Sequence, residues 1–188
     1  MKNSIFSRVK LLTGVMFVAS LLMLTGCFNP SKPETPSLPE GVTSLSADDT
    51  LVGTWESSYG EVYKISDSNF ISEGTYEGNN LVVRKLSDSK GYIYVKYTVV
   101  YDWSKGQMEE PEDKTGWLNS WGMWYPLNKD LIGKWYGIYY TNLTPTSMKL
   151  SGALGTKLST DTLEEAITEF TFENGYFAGN SELTKKVE

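Results

Sequence analysis

Tyr92-Ile93-Tyr94-Val95-Lys96-Tyr97-Thr98-Val99-Val100-Tyr101 is the run on which the fold turns. Every residue in it except Lys96 is aromatic or β-branched. Such side chains fit a pleated surface but lose rotamer freedom against the preceding turn of a helix, so the run predicts a strand. Successive side chains of a strand point to opposite faces. Tyr92, Tyr94, Lys96 and Thr98 therefore share one side, while Ile93, Val95, Tyr97, Val99 and Tyr101 share the other. The second set is expected to face a core or a cavity.

Working outward, runs of similar chemistry recur. Candidate strands cover 52–58, 61–66, 70–73, 81–87, 92–102, 134–142, 147–152 and 169–173, the last continuing past a turn at 176–179, with a weaker one around 117–125. Ser58-Tyr59-Gly60, Asp67-Ser68-Asn69, Gly78-Asn79-Asn80 and Ser89-Lys90-Gly91 are the turn signals between them, at the spacing of hairpins. One short helix is expected near the C-terminus, N-capped by Thr160 or Asp161 and running through Leu163-Glu164-Glu165-Ala166-Ile167, with Leu163, Ile167 and Phe170 at helical spacing. About eight antiparallel strands in this length either close on themselves or pair as two sheets, because open edges template aggregation. Closure into an up-and-down β-barrel over residues 49–188, mainly β with that one helix, is the expectation.

Upstream of the domain the chemistry changes. Pro30, Pro33, Pro36 and Pro39, four of the seven prolines, lie among Ser, Thr, Lys and Glu. Spaced prolines favour extended structure at about 3.1 Å per residue, so residues 27–48 read as a tether able to span about 60 Å. Residues 1–26 follow secretory logic: Lys2, Arg8 and Lys10 begin it, an apolar core follows, and Thr25-Gly26 are small residues before a cut. The apolar run 11–24 falls short of the roughly 20 residues that a membrane-spanning helix requires.

Leu24-Thr25-Gly26-Cys27 holds the only cysteine of the chain. The tetrad resembles the lipobox of bacterial lipoproteins. That resemblance implies a diacylglycerol thioether on Cys27, cleavage before it, and acylation of its new amino group by a palmitate-type chain. Two or three acyl chains hold a protein on a bilayer where one binds only marginally. The expected partner of Cys27 is thus the lipid bilayer, and the expected location is the bacterial cell envelope. Phe28 rather than Asp after the acceptor points to the outer membrane. The chain as a whole resembles small spirochaete-type surface lipoproteins, a likeness that brings no activity with it.

Charge and absences exclude several function classes. The first 26 residues hold three basic and no acidic side chains, so the remainder is more acidic than the formal −6 of the whole. Arg84 is its only arginine and the lysines are scattered, so nucleic acid is not an expected partner. There is no histidine. Zinc sites built on His or Cys, Ser-His-Asp and Cys-His nucleophiles and imidazole acid–base chemistry are excluded with it. No cofactor, no metal and no enzymatic activity are expected. The acidic run Glu109-Glu110-Pro111-Glu112-Asp113 lacks the spacing of a calcium loop and reads as a solvated segment.

Leu51-Val52-Gly53-Thr54-Trp55 recurs as Leu131-Ile132-Gly133-Lys134-Trp135, either by duplication of a half-barrel or as two independent strand starts. Gly permits a tight bend into a strand, and the Trp two residues on is expected to cover one end of the core. A Gly-x-Trp entering the first strand, with a short helix before the last, is similar to the lipocalin and wider calycin pattern. The resemblance implies an eight-stranded barrel with an internal ligand cavity. Lipocalins commonly place a late Arg over the motif Trp; here only Lys185 or Lys186 is left for that part. The Thr-Asp-Tyr turn of many lipocalins is missing.

Four of the six tryptophans, Trp103, Trp117, Trp121 and Trp124, lie beside the acidic run. They read either as a stacking platform over the barrel mouth or as core. The functional expectation is a small apolar or amphipathic ligand, with Trp55 closing the base and Tyr97, Val99, Trp103, Trp121 and Trp124 as wall or mouth residues. The rival is a solid barrel whose outer loops meet a host or envelope protein or a glycan.

Overall fold

A computed structural model describes residues 37–112 and 114–187. The signal segment 1–26, Cys27 and the tether to residue 36 lie outside the described residues. Strand pairing starts earlier than the change in composition suggests. β1 (Thr43–Ser44) pairs with Val82 and Val83, and Val42 and Leu45 beside it are buried. The folded unit therefore takes in residues 38–48, expected as tether, because two aliphatic side chains there find apolar cover.

The barrel is a meander. β2 (Gly53–Ser57), β3 (Val62–Ile65), β4 (Phe70–Ser72), β5 (Tyr76–Ser87) and β6 (Lys90–Val100) follow one another as antiparallel neighbours. A long connection carries the two-residue strands β7 (Trp117–Leu118) and β8 (Trp124–Tyr125), which pair with each other as a separate hairpin. The meander resumes with β9 (Trp135–Thr141) and β10 (Ser147–Gly152), then passes through helix α1 (Leu163–Glu169) to β11 (Ser181–Lys185). β11 pairs back onto β2, closing eight strands into the lipocalin-like barrel that the sequence predicts, with a single short helix among the described residues.

Residues opposite one another in an antiparallel ladder share a face, and the register follows one face around the whole barrel. Trp55, Tyr63, Ile65, Phe70, Ile93, Val95, Tyr136, Ile138, Tyr140, Met148, Leu150 and Leu183 belong to it. Most are fully buried, so this is the interior.

Two irregularities depart from the simple alternation. Gly78-Asn79-Asn80 is not a turn. It lies inside β5, where the register against β6 slips between Asn79 and Val82 and Asn80 takes φ +53°. Glycine and asparagine there mark a bulge, since both flanks of β5 go on pairing with the same neighbour. A second slip opposes Gly78 to Tyr97 but Glu77 to Val99, leaving Thr98 as the extra residue. Val100 is consequently turned inward and buried, and Val99 shares the outer face with Glu77.

The other face of β6 is not a solvent face either. Tyr92 and Tyr94 are buried under the segment that follows β10. Thr162, rather than Thr160 or Asp161, caps α1: its Oγ1 accepts from Glu165 N at 3.2 Å, and the Glu165 carboxylate accepts from Asp161 N at 3.2 Å. The helix runs on to Glu169, so 169–173 forms no strand. The residues after it serve as cover: Phe172 N donates to Tyr92 Oη at 3.0 Å, and Phe177 packs 5.8 Å from Tyr92 and 5.5 Å from Tyr139. Phe170 lies so close to Gly137 that a Cβ there would sit 2.4 Å from its own.

Candidate binding site

The two ends of the barrel differ in how the strands are joined. One end has short links, 66–69, Asp88-Ser89 and 142–146; the other has 58–61, 73–75 and both long connections. The short-link end is sealed. Trp55 is 0 % exposed and its Nε1 donates to Leu51 O at 2.9 Å. Lys185 Nζ lies 5.1 Å from the centre of the Trp55 ring and donates to Thr50 O at 3.1 Å. Lys185 thus takes the part of the late cation over the motif Trp, held by ring quadrupole and carbonyl together. Gly53 makes room for it, with φ +142° and only 2.4 Å between a built Cβ and Lys185 Cε.

The second pentad does something else. Gly133 also has a positive φ, +83°, but it precedes its strand, and Trp135 sits opposite Lys96 on the outer face, half-buried and bridged to Thr160. It covers no end of the interior. Two residues of sequence spacing set the bend, while strand register sets the side to which the ring goes.

Above Trp55 the interior is filled by rings. Phe70 stacks on Tyr76 at 5.7 Å; Tyr76 meets Tyr97 edge-on at 5.5 Å and Tyr136 at 5.2 Å; Tyr97 stacks on Tyr136 at 5.1 Å. Tyr136 Oη donates to Ala153 O at 2.9 Å. Lower down, Tyr140 Oη is buried without a hydrogen-bond partner among the described residues. Burial holds all these phenols above their ordinary range, Tyr140 at about 12, so they are neutral hydroxyls at physiological pH.

At the open end the filling stops. A recess of about 330 Å³ is floored by Tyr63, Tyr76, Tyr136 and Leu150, with Glu61 and Ser181 at its edge. A second recess of about 280 Å³ shares Glu61, Tyr63, Ser72 and Thr75 with the first and extends to Trp117. That indole is immobilised against backbone: Gly74 has φ +71°, and a Cβ there would lie 2.5 Å from Trp117 Cζ2.

Trp117 belongs to an aromatic arm built from the connection between β6 and β9. Isolated bridges Tyr101↔Leu127 and Gln107↔Trp124 and the β7–β8 pair hold it together. The Asp102 carboxylate caps a 3-10 turn over Trp103–Lys105, accepting from Ser104 N at 3.1 Å and pairing with Lys105 at 2.9 Å. The Ser104 hydrogen bond, before Lys105, holds its acid below the ordinary carboxylate range. Trp103 packs on Tyr125 at 4.2 Å and on Trp117 at 5.3 Å. At the hairpin tip, Asn119 Oδ1 accepts from Trp121 N at 3.0 Å and Met123 N at 2.9 Å, leaving Trp121 85 % exposed.

The residues singled out in the sequence therefore fall in three places. Trp55 and Tyr97 are interior, Val99 is on the outer wall, and Trp103, Trp121 and Trp124 are on the arm, with Cys27 outside the described residues. Tyr63, Tyr76, Tyr136 and Glu61 carried no motif. Hairpin parity is the signal that finds two of them: turns 58–61 and 73–75 are two strands apart in a meander, so Tyr63 and Tyr76 meet at one end. Among the described residues, no group of three His, Cys, Asp or Glu side chains is placed to hold a metal, and no helix is long and apolar enough to cross a membrane. No protein-family model, curated protein or solved structure matches the chain.

Proposed function

We propose that this chain is a lipoprotein of the bacterial cell envelope, anchored in the outer membrane through acylated Cys27, whose barrel binds a small amphipathic molecule at its mouth. The lipobox tetrad supports the anchor. The ring-floored recess of about 330 Å³ carries the binding reading, since its size reaches the lower end of small-molecule sites and its aromatic floor lies beneath a polar edge of Glu61, Thr75, Asn180 and Ser181. The interior beneath it is occupied by side chains, so the bound molecule sits shallow, on Tyr76 and Tyr136, and a long acyl chain has no tunnel to enter.

The test is titration of the purified full-length protein, in a non-ionic detergent, with a neutral fluorescent amphiphile such as N-phenyl-1-naphthylamine. Saturable binding that weakens several-fold in Tyr63→Ala is expected; an isotherm without saturation overturns the reading. For the anchor, Cys27→Ser should abolish incorporation of radiolabelled palmitate and release the protein from membranes, and persistence of both removes that part of the proposal.

One observation favours a second reading, a surface interaction protein: Trp121 is 85 % and Trp103 47 % exposed on the same arm. A contiguous exposed apolar patch, unlike a single exposed ring, marks a contact surface. A Trp121→Ala variant that keeps probe affinity while losing adhesion to host or envelope material separates the two.

A further inference from the structure

We infer that the molecule taken at the mouth is an organic cation, an amine or quaternary ammonium group carried on an apolar body. The inference rests on the mouth being the binding site. Its two contiguous recesses are lined by four aromatic side chains, Tyr63, Tyr76, Tyr136 and Trp117, and by two carboxylates, Glu61 and Glu73, with no Lys or Arg in either lining. A ring presents negative charge on its face, and a weakly hydrated cation within about 6 Å of several ring centres exploits that attraction most fully when partly withdrawn from water. Carboxylates at the edge supply the counter-charge. Glu73 is already paired with Lys64 at 2.6 Å, whereas Glu61 borders both recesses and, though hydrogen-bonded to the Tyr63 hydroxyl, has no salt bridge among the described residues.

The same surroundings disfavour an anion. A fatty-acid or phosphate head would meet the Glu61 carboxylate and no lysine or arginine in the lining, on a chain whose formal charge is already −6. The three tyrosines, held neutral by burial, add no charge of their own to the lining. The molecule already uses this chemistry once on itself, where the Lys185 ammonium lies over the Trp55 ring.

Isothermal calorimetry on the detergent-solubilised full-length protein decides it, with three benzyl probes: benzyltrimethylammonium, its uncharged isostere neopentylbenzene, and the anion phenylacetate. The cation should bind saturably and about tenfold tighter than the isostere. Glu61→Gln, a change on an exposed side chain, should weaken the cation about fivefold while leaving the isostere unaffected, and Trp117→Phe should retain more affinity than Trp117→Ala. Equal or tighter binding of the isostere or of phenylacetate, or indifference to Glu61→Gln, overturns the cation assignment and leaves a mouth site standing. Failure of all three probes to bind removes the mouth site as well.

Discussion

At the scale of single residues, the base of the barrel depends on Gly53, Trp55 and Lys185 acting together. Trp55 is fully buried and its indole N–H is satisfied, so Trp55→Ala leaves a large void and an orphaned Leu51 carbonyl. A loss of about 3–5 kcal/mol in denaturant-derived stability is expected. The two pentad glycines provide a sharper contrast. Gly53 adopts φ +142° with Lys185 against its α-carbon, while Gly133 adopts +83° in open space. An alanine at 133 enters the left-handed region at a cost of about 1–2 kcal/mol. At 53 the region is essentially closed to side chains and the Lys185 stem must also move. Gly53→Ala should therefore lower the unfolding midpoint clearly more than Gly133→Ala, and equal midpoints would mean that Lys185 does not pack as described.

At the scale of elements, α1 and the residues after it act as an outer lid over β6 and β9. The helix is short, so its own propensity contributes little and packing decides its stability. Removing the cap with Thr162→Ala should cost about 1 kcal/mol. Removing the anchor with Phe170→Ala, a fully buried ring lying on Gly137, should cost about 3–5 kcal/mol. Chemical denaturation of the two variants should keep that order. If the cap mutation costs as much as the ring, the helix is being held by its hydrogen bonds rather than by the barrel wall.

At the scale of the whole molecule, the protein is held together by buried phenols, and that shapes its response to pH. Burial raises Tyr76, Tyr94, Tyr97 and Tyr136 well above the usual value and Tyr140 to about 12. The unfolded chain releases these protons from about pH 10, the folded chain later. Stability that is complete below pH 10 is thus lost as pH rises through the window from 10 to about 12 and above, at up to about 1.4 kcal/mol per pH unit for each such phenol. Tyrosinate absorbance should appear together with loss of near-ultraviolet circular dichroism; ionisation of most tyrosines in a still-folded protein would contradict the packing described. On the acid side the slope should be shallow. Hydrogen bonds from Lys157 to Glu169 and from Lys149 to Glu182 lower those acids, so their contribution is present above about pH 4.5 and fades as pH falls, but both pairs are solvent-exposed.

Local chemistry by itself was enough to determine the β class, most strand positions, the short helix, and closure as the remedy for open edges. These follow from rotamer sterics, turn residues and period-two burial, which act over a few neighbouring residues. Three features were decided only by tertiary structure: the Thr98 bulge that turned Val99 outward, the placing of Trp135 on the outer face, and the meeting of Tyr63, Tyr76, Tyr136 and Trp117 at one mouth. Register and convergence are set by burial summed over all eight strands at once, and a shift of one residue, invisible to local propensity, exchanges the inside of a barrel for its outside.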